Sequence, residues 1–323
     1  MREMERAPNS NTLLSLIRMW RSEHPDRASS PEWERLAANT KKTWGSALNK
    51  FGEKWGSVPL AVFDDPRMTQ EVIAWRNSRR DTPRAADNGI TVLQALLKFG
   101  MQNALRSRDV ANEITKLYEN GQRADIVWTE DDLNAFEAAA EPDDRPVVDA
   151  ISLDAATGLR RDDLAWLTWA SVREFTLVKE TAKRSGGKRR FATIPRIPAL
   201  DAVLADLRNR HRDPGVETIS VTRSRQPWNL DTLTHEVTRI VEKAGVVHID
   251  VPEKDKPPRT RRKHLHDVRG TFVTRLMTTT DLTDEEIADI MAWSPADVRR
   301  IRTIYVDDHP RSVALGRRIA RGL

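Results

Sequence analysis

The sequence contains no cysteine, which removes disulfide staples, thiolate zinc sites and a cysteine nucleophile together. Tyrosine is almost absent: Tyr118 and Tyr305 stand against ten tryptophans, so a phenol-dependent chemistry has few places to reside. The 14 glycines form neither a G-x-x-x-x-G-K-[ST] nor a G-x-G-x-x-G run, and nucleotide-driven chemistry is accordingly not expected. No apolar run approaches the roughly 18 residues of a membrane span. The opening residues, Met1-Arg2-Glu3-Met4-Glu5-Arg6, lead into no apolar stretch of the kind a secretory signal requires. A cytoplasmic protein with no membrane partner is expected.

What is present is charge, and it is sorted. The formal net charge is +5 over 323 residues, a length that suggests two domains at about 150 residues each. Residues 1–123 carry 20 Lys/Arg against 15 Asp/Glu, and residues 124–323 carry 33 of each. That balance hides strong local fields. Asp125 to Asp149 holds nine acids and one base, whereas Lys179–Arg190 holds six bases in twelve residues and Lys254–Lys263 six in ten. Charge runs are commonly solvated loops, but two basic runs flanking a helical domain point towards a polyanion such as nucleic acid.

The first part of the chain reads as a bundle of four or five helices. Leu13, Leu14, Ile17 and Trp20 fall on one helical face, as do Trp44, Leu48, Phe51 and Trp55. Ser30-Pro31 has the form of an N-cap followed by a first helical proline. The stretch Glu119–Arg123 is the best linker, and Thr129-Glu130-Asp131-Asp132 resembles a capping box that opens the next helix. Further helices suit Pro146–Ala156, Asp162–Ser171, Asp201–Arg210 and Leu230–Ala244. Phe175–Lys179 and Phe191–Arg196 read as two strands joined by a basic loop with Ser185-Gly186-Gly187. The result is a mainly α chain with a small antiparallel β-sheet, dividing into 1–124 and 125–323.

Two arginines occupy unusual positions. On a helical wheel, Leu265, Val268, Phe272, Val273 and Leu276 make an apolar sector with Arg269 inside it and His266 at its edge. A guanidinium keeps its proton, so burying it requires an anion. That anion is either a structural carboxylate or a ligand phosphate held by the arginine's planar donor fork. Arg160, in Thr157-Gly158-Leu159-Arg160, has a similar setting at a helix-to-helix turn, with Asp162 and Asp163 as rival partners. Ser294-Pro295 opens a late helix on which Val298, Ile301 and Tyr305 align, so Tyr305 reads equally as a core residue.

These residues together resemble the tyrosine recombinases, or phage integrases. The first arginine box of that family is similar to Thr157-Gly158-Leu159-Arg160-Arg161-Asp162-Asp163-Leu164, and its His-x-x-Arg box to His266-Asp267-Val268-Arg269. Ala292-Trp293-Ser294 resembles its Gly-His/Trp-Ser element, Tyr305 its nucleophile, and Lys183 its hairpin lysine, with Lys188 as a rival. Ala292 stands where glycine is usual, Gly270 where histidine is common, and the interval from Trp293 to Tyr305 is longer than usual.

The resemblance implies a helical core-binding domain followed by a mixed α/β catalytic domain. It implies metal-free DNA breakage and rejoining through a 3′-phosphotyrosyl link, with no cofactor. Tyr305 would attack, Arg160 and Arg269 would clamp the phosphate, and Lys183 would protonate the leaving 5′-oxygen. His266 would assist proton transfer, and Trp293 would pack and hydrogen-bond at the phosphate. Arg259, Arg261, Arg262 and Lys263 are expected to contact the DNA backbone. The implied partners are double-stranded DNA, a homo-tetramer on synapsed DNA, and an accessory DNA-bending or directionality factor. A bacterial or phage-encoded protein associated with the nucleoid fits, and residues 310–323 would form a short tail helix. The alternatives are a non-catalytic helical DNA-binding regulator and a type IB topoisomerase-like relaxing enzyme. A metal-dependent nuclease, suggested by the acidic pairs and by His264-x-His266, is disfavoured because those pairs suit helix starts and loops.

Overall fold

Several helices start where the sequence supplies a cap. The Ser30 hydroxyl accepts from the Trp33 N–H at 3.4 Å, ahead of α2 (Pro31–Glu34). Thr129 and Asp132 form the reciprocal box at the head of α6 (Glu130–Ala139): the Asp132 N–H donates to the Thr129 hydroxyl at 3.2 Å, and the Thr129 N–H donates to the Asp132 carboxylate at 2.6 Å. The Ser294 hydroxyl accepts from the Asp297 N–H at 3.2 Å, opening α13 (Pro295–Tyr305). Each bond satisfies a backbone donor that the first turn of a helix leaves without a partner.

The computed structural model describes residues 11–21, 23, 30–118, 123, 125–182, 190–250 and 258–305, with 304 and 305 as backbone only. The chain divides into two compact units, Met1–Gly121 and Gln122–Leu323. Among the described residues no helix is long and apolar enough to cross a membrane.

The first unit is a five-helix bundle: α1 (Leu13–Trp20), α2, α3 (Ala38–Trp55), α4 (Met68–Asn77) and α5 (Pro83–Gln102). Its core is unusually rich in indole. Trp20 lies 5.7 Å from both Trp33 and Trp44, and Phe51 lies 4.8 Å from Trp75, measured between ring centroids. Gly89 lets α4 close onto α5, because a Cβ there would meet the Trp75 ring. The buried Asp87 carboxylate accepts the N–H groups of Leu117 at 2.9 Å and Tyr118 at 2.7 Å, which ties the segment after the bundle back onto α5.

The second unit is built on two largely buried helices. They are α7 (Arg145–Thr157) and α11 (Leu265–Thr279), and they pack on each other. One apolar cluster joins Val147, Val148 and Ile151 of α7 with Leu265 and Val268 of α11, Trp128, Phe136 of α6 and α10 (Leu230–Ala244). The other joins Leu153 of α7 with Phe272, Val273 and Met277 of α11. It also takes in the hairpin β1 (Thr176–Glu180) and β2 (Phe191–Pro195), α9 (Pro198–Arg208), α12 (Asp284–Met291) and Val298 of α13.

The hairpin is antiparallel, with Thr176 opposite Pro195 and Glu180 opposite Phe191. The helix expected over Asp162–Ser171 is interrupted: α8 (Arg161–Ala165) stops, and a 3₁₀ turn covers Trp169–Ser171. The break follows from the Trp169 N–H leaving the helix to donate to the Glu217 carbonyl at 3.1 Å. A second small sheet stands beside the expected hairpin. β3 (Val247–Ile249) pairs antiparallel with β4 (Thr260–Arg262), with His248 opposite Arg261. Three-residue strands carry too little alternation to be read from sequence, and one of these had been read only as a basic run. The expected tail helix over 310–323 lies outside the described residues.

Candidate active site

The first arginine box begins where α7 ends. Gly158 takes the left-handed conformation at φ +59° and donates its N–H to the Asp154 carbonyl at 2.6 Å, which closes the helix. A Cβ at this position would run into the Phe272 ring of α11. Gly158→Ala therefore combines left-handed backbone strain with overpacking. It is expected to destabilise the protein by about 2–4 kcal/mol, measured as a lower denaturant midpoint at unchanged slope. A midpoint equal to wild type would show that α7 and α11 do not need this close approach.

Beyond Gly158, Leu159 is buried and Arg160 caps the start of α8 with its side chain partly in solvent. Arg160 stands 4.0 Å from the Asp163 carboxylate. Asp163 is buried and accepts the Ala182 N–H at 2.7 Å, so it fixes the end of β1 that leads into the basic loop. Burial pushes the Asp163 carboxyl above its ordinary range, opposed by that hydrogen bond and by Arg160. Lys183 and its rival Lys188 lie outside the described residues.

Arg269 is 4% exposed. Its guanidinium donates to the Gly158 carbonyl and, at 2.9 Å, to the Met291 carbonyl at the end of α12, and it lies 4.9 Å from the Trp293 ring. Among the described residues no carboxylate oxygen comes within ion-pair distance of it, so the structural salt bridge allowed by the sequence is not made. Burial, followed by the like charge of Arg160, pulls Arg269 down to about 9, and it remains charged at neutral pH. Asp154 and Asp163 act on it in the opposite sense. The site is thus built on a buried cation braced by neutral carbonyls.

His266 joins this group. Its residue surface is open to solvent, but its imidazole sits in a crowded recess where burial and then Arg269 press it towards the neutral form. The Trp293 ring packs against the Arg269 guanidinium, and the Trp293 backbone N–H donates to the Ala288 carbonyl at 2.9 Å. It follows Ala292, which takes the left-handed conformation at φ +52° that explains why glycine suits this position. Tyr305 is the last residue of α13, and its side chain lies outside the described residues. The structure therefore brings together Arg160, His266, Arg269 and Trp293.

Three of the four cations of the basic run are paired within the unit. Lys263 is buried and bonded to Asp132, Arg261 bridges Asp125 and Asp250, and Arg262 pairs with Glu242. Carboxylates of the same unit thus take these charges, two of them, Asp132 and Asp125, from more than a hundred residues away. Arg259 alone of the four is exposed with no side-chain partner among the described residues. Asp125, His248 and Asp250 bring ligand atoms within 4.8 Å of one another, but Arg261 already supplies the positive charge between the two carboxylates.

His264, at the N-cap of α11, is pressed towards neutrality by burial first and then by Arg123, which bonds Asp267 at 2.6 Å. A histidine whose native value is depressed binds its proton more readily when unfolded. Stability is therefore expected to fall as pH drops from about 6.5 towards the lower native value. His264→Asn should lessen that slope in thermal unfolding measured across this range, and an undiminished slope would assign the effect elsewhere.

Two carboxylates escaped the sequence reading. Asp163 was seen only as a rival partner for Arg160, and Asp154 was not seen at all. A single aspartate one turn before a helix-ending glycine, in the otherwise apolar Ala150–Ala156 stretch, was the available signal.

No protein-family model matches the sequence, and no curated protein does. Solved structures do. A lambda integrase dimer bound to a COC′ core site matches with a TM-score of 0.67 at 18% identity, over 95% of this chain and 82% of that one. A lambda integrase tetramer bound to a Holliday junction matches with 0.67 at 19%, over 94% and 82%. The Tn1549 transposon integrase with circular intermediate DNA matches with 0.67 at 16%, over 92% and 96%. Sequence this divergent preserving the backbone over nearly the whole chain means that the protein has the fold of the tyrosine-recombinase integrases its motifs resemble.

Proposed function

We propose that the protein is a site-specific DNA recombinase that breaks and rejoins DNA through a 3′-phosphotyrosyl intermediate. The observation that carries this reading is Arg269: a buried guanidinium whose contacts are carbonyls and an indole face, beside Arg160, on an integrase fold.

In this mechanism the Tyr305 oxygen attacks a DNA phosphodiester and the 5′-hydroxyl leaves, so the phosphorus–oxygen bond count is unchanged. A second 5′-hydroxyl reverses the step and joins new strands. Arg160 and Arg269 bind the non-bridging oxygens and stabilise the charge that grows on them. Trp293 holds the plane of Arg269 rather than serving first as a phosphate ligand. His266, kept neutral, can accept or pass a proton, and Lys183 gives one to the leaving oxygen.

The first unit would contribute duplex affinity. It carries a groove of about 950 Å³ with Lys42, Lys50, Arg79 and Arg84 among its lining residues. Phosphate contacts of this kind position DNA without reading its sequence. Four copies on paired sites, as the lambda integrase structure on a Holliday junction shows for that protein, would complete the strand exchange, with an accessory DNA-bending or directionality factor where the site demands one.

The test is covalent trapping. Nicked duplexes tiled across the element's own ends, incubated with the protein in EDTA and resolved under denaturing conditions, should yield a protein–DNA adduct. Specific duplex binding with no adduct on any nick position would exclude the recombinase and leave a DNA-binding regulator.

A further inference from the structure

The mechanism leaves one buried ionisable group unused. Asp154 is 1% exposed on the inner side of α7, and its Oδ1 has no hydrogen-bond partner. Its own backbone carbonyl holds the N–H of Gly158, the residue whose carbonyl receives Arg269. The carboxyl thus sits behind the phosphate-directed arginine, on the helix that anchors it. Yet it makes no ion pair with Arg269 among the described contacts.

Resting on the reading of this pocket as a phosphate site, we propose that Asp154 is a proton-gated internal competitor for the charge of Arg269. Ionised, it shares the guanidinium's field with the incoming phosphate; protonated from solvent, it releases that field to the ligand. A phosphodiester entering the pocket therefore draws one proton from water onto Asp154, and leaving returns it.

The charges around Asp154 allow this. From α11 it faces Arg269, and beyond that His266. From the start of α8 come Arg160 and Asp163, which act on Arg269 rather than on Asp154. The charged groups that α9 and α10 bring to α7 meet its opposite end: Asp206 and Arg210 with Arg145 and Asp149, and Arg239 with Asp144. Arg269 is consequently the one charge acting on Asp154 directly. Burial raises the Asp154 carboxyl well above the ordinary range and Arg269 opposes that rise. A bound anion offsets Arg269 and raises it further, and this difference couples binding to proton uptake.

Asp154 acts through Arg269 and is a positioning residue for charge. Sulfate keeps its charge between about pH 6 and pH 8, a span in which buried carboxyls can titrate and Arg269 stays charged, and serves as the probe. The rise in melting temperature that sulfate gives the full chain, at ionic strength held constant with chloride, reports its affinity. In wild type this rise should shrink as pH increases. In Asp154→Asn it should shrink less, leaving the variant roughly tenfold tighter than wild type near pH 8, where Arg269 is still charged, the equivalent of one unit of coupling. Asp154→Leu is the second neutral variant and should behave like the first. His266 titrates in all three proteins, so the difference between them isolates Asp154.

Profiles that fall in parallel for wild type and both variants would overturn the role of Asp154 while leaving the pocket intact. A sulfate effect that is absent, or undiminished in Arg160→Gln, would overturn the phosphate-pocket reading and this proposal with it.

Discussion

Tyr305→Phe is expected to give no covalent protein–DNA adduct on any nicked substrate that traps the wild-type protein, with duplex binding unchanged. The substitution removes one oxygen atom. On the proposed reading, duplex affinity comes from many phosphate contacts, to which a terminal hydroxyl contributes little. The proposed chemistry depends on that oxygen entirely, because it would be joined to phosphorus. A phenol of reference value ~10 is a weak nucleophile at neutral pH, and two arginines at the receiving phosphate are the arrangement that makes its attack feasible. Tyr118, the other tyrosine, stands in the first unit, beside Arg84 at 5.8 Å. Tyr118→Phe is the matched control and should trap normally. An adduct that survives in Tyr305→Phe would move the nucleophile to another side chain and remove the recombinase reading.

Arg269→Lys is expected to reduce the rate of adduct formation by on the order of 10²–10³-fold, about 3–4 kcal/mol of barrier. The positive charge remains, and what is lost is the fork. Arg269 holds the Gly158 and Met291 carbonyls while presenting its remaining donors elsewhere. A lysine ammonium is a compact point charge that cannot span both carbonyls and a phosphate in one plane. It also loses the flat contact with Trp293 at 4.9 Å. Duplex affinity and melting temperature, measured alongside, separate a catalytic loss from a folding one. A Lys variant with wild-type rate would mean that charge alone suffices and that the carbonyl bracing is incidental.

Much of this site could be read before any coordinates. Arg269 stood out because a permanent cation interrupted an apolar sector, and burial confirms the sector. The caps at Thr129 and Ser294 are local, involving residues three apart, and local hydrogen bonds leave local signatures. What failed was non-local. Lys263 pairs with Asp132 and Arg261 with Asp125, each across more than a hundred residues of sequence, and nothing in a basic run reveals which carboxylates will fold onto it. The second sheet failed for the same reason, since three residues of strand are specified by their partner more than by themselves. Asp154 lay in plain view within Ser152-Leu153-Asp154-Ala155. Its meaning depends on α11 lying against α7, which is a property of the packed unit.

That packing has a mechanical consequence. The two apolar clusters of the second unit share α7 and α11 as a common wall, so neither cluster can loosen without exposing the other's side of the same two helices. The unit is therefore built to open as one cooperative block rather than by halves. Gly158 and Arg269 are carried by that wall, and their mutual placement lasts as long as the block itself.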